Sequence, residues 1–114
     1  MRYTISLKKN RDFRRLYNSP KNAAGPYVAV YVRRNRQNVN RLGITVSTKI
    51  GKAVKRNRAR RRIREAYRLM EERLIPGYDI VIVARAKCLT VPFSALMESM
   101  AELITKLGAM KNDS

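Results

Sequence analysis

The stretch Leu42-Gly-Ile-Thr-Val-Ser-Thr-Lys-Ile-Gly-Lys-Ala-Val-Lys-Arg-Asn-Arg-Ala-Arg-Arg-Arg-Ile-Arg-Glu65 changes its periodicity halfway along. Residues 42–47 alternate with period two, and Leu42, Ile44 and Val46 share one face, the pattern of a half-buried strand. Beyond Gly51 the apolar residues recur at helical spacing. Ala59, Ile63, Ala66, Tyr67, Met70 and Leu74 line one side of a helix predicted over residues 53–74, stopped by Pro76-Gly77. A strand feeding a long amphipathic helix defines an α/β domain, so the flanking segments must supply the rest of the sheet.

Upstream, residues 27–34 alternate as well, with Val28, Val30 and Val32 on one face and Tyr27, Ala29, Tyr31 and Arg33 on the other. Residues 34–40 are polar and read as a hairpin loop, so this strand is expected to pair antiparallel with residues 42–47. Residues 79–85 contain Ile-Val-Ile-Val-Ala, apolar on both faces, which predicts a central strand covered from both sides. A first helix is predicted around residues 10–17, where Phe13, Leu16 and Tyr17 share a face, with Asn10 as its cap and Asp12 in its first turn. A last helix begins near Pro92, buries Phe93, Leu96, Met100, Leu103 and Leu107, and stops at Gly108. The 114 residues hold one domain over 1–114, with an ordered core of about residues 5–108.

Charge is the unusual property. Lys and Arg number 26 against 8 Asp and Glu, a net +18. Residues 1–64 carry 20 basic side chains and one acid, Asp12, whereas residues 65–114 carry six basic and seven acidic ones. An excess confined to one half points to a polyanion-facing surface rather than to general solubility. Histidine is absent, and Cys88 is the only cysteine. The commonest general base and metal ligand are therefore missing, a thiol nucleophile has no imidazole to activate it, and no intramolecular disulfide can form. No P-loop and no G-x-G-x-x-G occurs. These features predict no catalytic residue, no metal and no cofactor on the chain. No apolar run is long enough to span a bilayer, and a reducing, cytoplasmic setting is expected, without a membrane.

From residue 55 to 64 the helix has six arginines and one lysine and no acid. Asn57, Arg61, Arg64 and Arg68 fall on the side opposite the apolar stripe, with Arg58 beside them. Like charges at i, i+4 oppose helix formation by a few tenths of a kcal/mol each, roughly as much as opposite charges support it. The guanidinium fork matches phosphate oxygens, so this composition reads as a phosphate-binding face.

The same stretch is similar to the signature of the bacterial ribonuclease P protein family: a strand ending in Ser47, a Lys49-to-Lys52 turn with Gly51, and Arg56-Asn57-Arg58 followed by Arg60, Arg61 and Arg64. Asp12-Phe13 with Tyr17 four residues after the Phe, the strand residue Tyr31 and the segment Gly77-Tyr-Asp-Ile-Val-Ile-Val-Ala-Arg85 resemble other parts of that family, over roughly residues 5–107. The resemblance implies a single-domain α-β sandwich with a mixed four-stranded sheet, like domain 2 of ribosomal protein S5, with a left-handed βαβ crossover and an extra short strand near residues 20–24. General topology rules alone would favour a right-handed crossover.

The resemblance also implies the function. The chain is expected to be the non-catalytic protein subunit of ribonuclease P, binding the catalytic RNA and the 5′ leader of precursor tRNA, with Mg2+ held by the RNA and no protein partner required. Lys49, Lys52, Arg56, Asn57, Arg58, Arg60, Arg61, Arg64 and Arg68 are the candidates for the catalytic RNA. Arg56 stands apart, since the helical wheel turns it towards the apolar side. Phe13, Tyr17, Tyr31, Arg33 and Thr45 are the candidates for the leader, because bases of a single strand stack on aromatic faces with little regard for sequence. Phe13 could equally serve to pack the first helix. Three other readings share the basic helix: a ribosomal or general RNA-binding protein of similar fold, a stand-alone nuclease, and a DNA-binding protein.

Overall fold

A computed structural model describes residues 1–111. Five strands form one mixed sheet in the order β1-β4-β5-β3-β2: β1 Thr4–Ser6, β2 Asn22–Ala24, β3 Val28–Arg34, β4 Asn40–Thr45 and β5 Tyr78–Ala84. Three helices cover it, α1 Asn10–Tyr17, α2 Ala53–Met70 and α3 Phe93–Lys106. β5 is the centre, as its two apolar faces require: Ile80 and Ile82 are buried with α2 and α3, and Val81 is buried with Leu7 and Leu16 on the opposite face.

Two topological expectations fail. β3 and β4 do not form a hairpin pair, because β5 lies between them, antiparallel to β3 and parallel to β4. A strand apolar on both sides is most stable where neighbours flank it, and that demand overrides the short connection. The sheet has five strands rather than four. The extra one, β1, pairs parallel with β4 through Thr4–Ser6 and is too short to carry any periodicity. The short strand expected near residues 20–24 is β2.

The predicted stripe of α2 is buried throughout: Ala59, Ile63, Ala66, Tyr67 and Met70, with Leu74 beyond a final 3-10 turn, Glu71–Arg73. Tyr67 is enclosed, so desolvation pushes its hydroxyl up to about 12, while the bond it shares with Thr4 Oγ1 at 2.9 Å opposes that rise. Asn10 does not cap α1. It is the first helical residue, and Lys9 occupies the cap position without a side-chain bond. α3 begins directly after Pro92, and Gly108 follows it at φ +80. Of the domain expected over 1–114, residues 112–114 lie outside those described. Among the described residues no helix is long and apolar enough to cross a membrane.

Candidate RNA interface

Register places the site. On the sheet face that α1 covers, Arg41, Asp79 and Arg33 stand in one cross-strand row. Gly43, Val81 and Tyr31 stand in the next, and Thr45, Val83 and Ala29 in a third. α1 lies over the middle row. Phe13 rests on Gly43 so closely that a Cβ there would meet its ring at 2.5 Å. Tyr17, the last residue of α1, shares a hydrogen bond with Thr45 Oγ1 at 2.6 Å and meets Tyr31 edge to face, centroids 5.5 Å apart. Phe13 and Tyr17 are 6.4 Å apart.

These contacts bring Phe13, Tyr17, Tyr31 and Thr45 together from three elements. Tyr17 is exposed and Phe13 and Tyr31 are half-buried. A groove of about 510 Å³ opens here, lined by Phe13, Arg14, Tyr17, Ile44, Thr45 and Arg60 among others. Phe13 serves both readings given to it, since it packs with the buried Leu16 and Val81 and also lines the groove. Arg33 is not in this groove. It lies one row beyond Tyr31 and lines a separate cleft on the other side of α1. Sequence reasoning missed Arg14, Ile44 and Val46 as groove walls; only the crossing of α1 over β4 assembles them.

The second surface is the outer side of α2. Burying the apolar stripe forces Asn57, Arg58, Arg61, Arg64 and Arg68 outward, and all five are exposed. Three ion pairs occur among the described residues, and one of them, Arg68 with Glu65 at 2.5 Å, lies on α2. The hydrogen bonds of that pair raise the Arg68 pKa and lower that of Glu65. Arg56, Arg58, Arg60, Arg61 and Arg64 have no carboxylate at ion-pair distance among the described residues. The nearest substitute is Asn57, whose Oδ1 accepts from Arg60 Nη1 at 3.3 Å.

Charge at the start of α2 has the wrong sign for the helix itself. Lys52 caps it without a side-chain bond, Lys55 and Arg56 follow, and the first turn holds no acid. Cations there oppose the macrodipole, and an anion would relieve them. Lys49 sits in the preceding 3-10 turn, where Ser47 Oγ accepts its backbone N–H at 3.1 Å, and Gly51 turns the chain at φ +149.

Two arginines point inward. Arg56 lies within the helix and is half-buried, as the wheel suggested, and its Nε is buried without a partner. Arg62, which sequence reasoning left out of the interface, donates to the carbonyls of Leu89 and Val91 and pins the loop after β5. Cys88 in that loop is wholly buried, and burial pushes its thiol up, away from nucleophilic character. The two surfaces meet at Arg60, which lines the groove, and Arg60 and Arg64 together line a smaller cavity of about 230 Å³ beside β1.

A small α/β domain with arginines that lack a carboxylate partner among the described residues and an aromatic groove beside them belongs to the class of proteins built to hold a phosphate backbone. Comparison with known proteins narrows the class. The family model described as Ribonuclease P matches residues 1–108. The ribonuclease P protein component of Clostridioides difficile is 43% identical over 104 residues, covering 90% of this chain and 91% of the relative. The solved RNase P protein of Thermotoga maritima superposes with a TM-score of 0.80 at 32% identity, covering 89% and 96% of the two chains. That of Staphylococcus aureus gives 0.81 at 29% identity, covering 97% and 100%. The chain belongs to the ribonuclease P protein family. It is a subunit that functions with the catalytic RNA of ribonuclease P in the 5′ processing of tRNA.

Proposed function

We propose that the subunit divides its work between the two surfaces. The outer side of α2 with Asn57, Arg58, Arg60, Arg61, Arg64 and Arg68, together with Lys49 and Lys52 before the helix and the half-buried Arg56, binds the catalytic RNA. The groove of Phe13, Tyr17 and Thr45, with Tyr31 packed against Tyr17 and Arg33 beyond it, receives the 5′ leader of precursor tRNA. One observation carries this reading: Arg58, Arg61 and Arg64 on the outer helix face have no carboxylate partner among the described residues, while the groove beside that face, which Arg60 also lines, is walled by the rings of Phe13 and Tyr17. Stacking on such rings is worth about 1–3 kcal/mol per base and tolerates any sequence, which suits a subunit serving many different tRNAs.

Among the described residues no group of three His, Cys, Asp or Glu lies together. Mg2+ is assigned to the phosphates of the RNA, and no protein beyond this subunit is needed. The same reading includes a cytoplasmic setting, the left-handed β4–α2–β5 crossover and the likeness to domain 2 of ribosomal protein S5.

The test is reconstitution of the chain with the catalytic RNA at physiological magnesium, scoring 5′ maturation and the affinities of precursor and mature tRNA. Maturation and tighter binding of the precursor are expected. Equal affinity for both would favour a general RNA-binding protein, and cleavage by the bare chain would favour a stand-alone nuclease.

A further inference from the structure

The cleft on the other side of α1 has a volume of about 600 Å³ and is lined by Arg15, Arg33, Arg34, Arg36 and Arg41 against only Asp12 and Asp79. Arg41 neutralises both acids. Its Nε and Nη2 donate to Asp79 at 2.7 and 2.6 Å, and Nη1 donates to Asp12 at 3.4 Å. These bonds fix α1 to the sheet and leave Arg15, Arg33, Arg34 and Arg36 without a carboxylate partner among the described residues.

The β3–β4 loop, which carries Arg36 and follows Arg33 and Arg34 at the end of β3, is built rather than loose. Asn35 donates from its backbone to Gly77 O at 2.8 Å and from Nδ2 to Val39 O and Asp79 Oδ1, and its Oδ1 accepts from Gln37 N. Gly77 leaves no room for a side chain, since a Cβ would lie 2.9 Å from Gln37 O. Arg36 is held at φ +62, where glycine or asparagine would sit with less strain. The guanidinium of Arg34 lies 5.3 Å from the Tyr78 ring centroid. A turn fixed this firmly, with an arginine at its strained position, presents charge to a definite place.

We infer that this cleft is a second phosphate-binding site, which takes the backbone of single-stranded RNA where it leaves the aromatic groove, with Arg15 and Arg36 as the cations of its two walls. The inference rests on the leader reading above. Arg33 follows Tyr31 by two residues on the same sheet face, about 7 Å further along the strand, and Tyr31 lies against Tyr17 at the end of α1, so a chain leaving the groove round that end of the helix comes to the cleft. The bound groups are phosphodiesters, since four unpaired guanidiniums offer forks to oxygen anions and the cleft has no spare acceptor for a cationic ligand.

The test uses the reconstituted holoenzyme and precursor tRNAs whose leader is lengthened one nucleotide at a time. For the wild type, affinity should rise as the leader fills the groove and rise again as it reaches the cleft. In the Arg15→Ala, Arg36→Ala double variant the second rise should vanish while short-leader and mature tRNA bind as before. With two phosphates at roughly 0.7 each in the slope of log affinity against log salt, the loss on long leaders is about tenfold near 0.15 M salt, and the slope flattens by about 1.4. The Arg15→Lys, Arg36→Lys pair keeps the charges and should restore the second rise. A double variant that keeps the full second rise, or that weakens every substrate equally including mature tRNA, would overturn the cleft and leave the groove standing. A wild type indifferent to leaders of any length would remove both readings together.

Discussion

The outer face of α2 and the groove beneath α1 use opposite physics. The α2 face is made by one continuous helix, and its side chains are aligned by the burial of Ala59, Ile63, Ala66, Tyr67 and Met70 behind them. Its attraction is long-range, dependent on salt and indifferent to fine geometry. The groove is made by residues far apart in the chain. Tyr17 meets Thr45 across 28 positions, and Phe13 fits only because position 43 is glycine. Its attraction is short-range and fails if α1 shifts. In the proposed division the two complement each other: charge holds a large folded RNA, and ring faces sense whether an unpaired strand is present.

The largest expected effect breaks the groove. Tyr17→Ala with Tyr31→Ala should weaken holoenzyme binding of leader-bearing tRNA by at least about 2 kcal/mol, one stacked base or more, measured by equilibrium binding against mature tRNA. Next, Arg61→Ala with Arg64→Ala should lower affinity for the catalytic RNA about 30-fold near 0.15 M salt and flatten its salt slope by about 1.8, provided each side chain neutralises one phosphate. A salt titration of both proteins measures this.

Gly43→Ala sharpens the comparison without removing any ring or charge. The added methyl collides with Phe13, so overpacking should cost about 1–3 kcal/mol in urea unfolding and loosen leader binding, while the salt dependence of RNA binding stays as it was. The smallest effect belongs to β1, the strand beside the cavity of Arg60 and Arg64. Burial raises the Glu71 carboxyl, but its hydrogen bonds with Thr4 and with the backbone N–H groups of Arg2 and Tyr3 outweigh this and leave its pKa below the ordinary value. A depressed folded pKa gives stability that is present above the unfolded value and is lost as pH falls through the folded one. Acid unfolding should therefore come later relative to neutral stability in Glu71→Gln, with RNA binding near neutrality unchanged.

The two surfaces were not equally legible in the sequence. The face of α2 could be drawn from the wheel alone, down to each buried residue and to the inward turn of Arg56, because a helix fixes its own neighbours. The centrality of β5 followed from its two apolar faces. What lay outside local pattern was missed: β1 has three residues and shows no period, and β3 and β4 were paired wrongly because nothing local says that a later strand will insert between them. The groove was read through family resemblance, not periodicity. Arg33 and Tyr31 share a strand face, yet Arg33 lines the cleft on the far side of α1 while Tyr31 packs against Tyr17. The structural duties of Arg41 and Arg62 depend on partners 27 to 38 residues away, which no local pattern reveals.

Separate surfaces for the catalytic RNA and for the leader are the central claim, and one side-by-side measurement bears on it most directly. Affinity for the catalytic RNA is determined for Tyr17→Ala with Tyr31→Ala next to Arg61→Ala with Arg64→Ala. The tyrosine pair should bind as the wild type does and the arginine pair should bind far more weakly; the same loss in both would contradict the division.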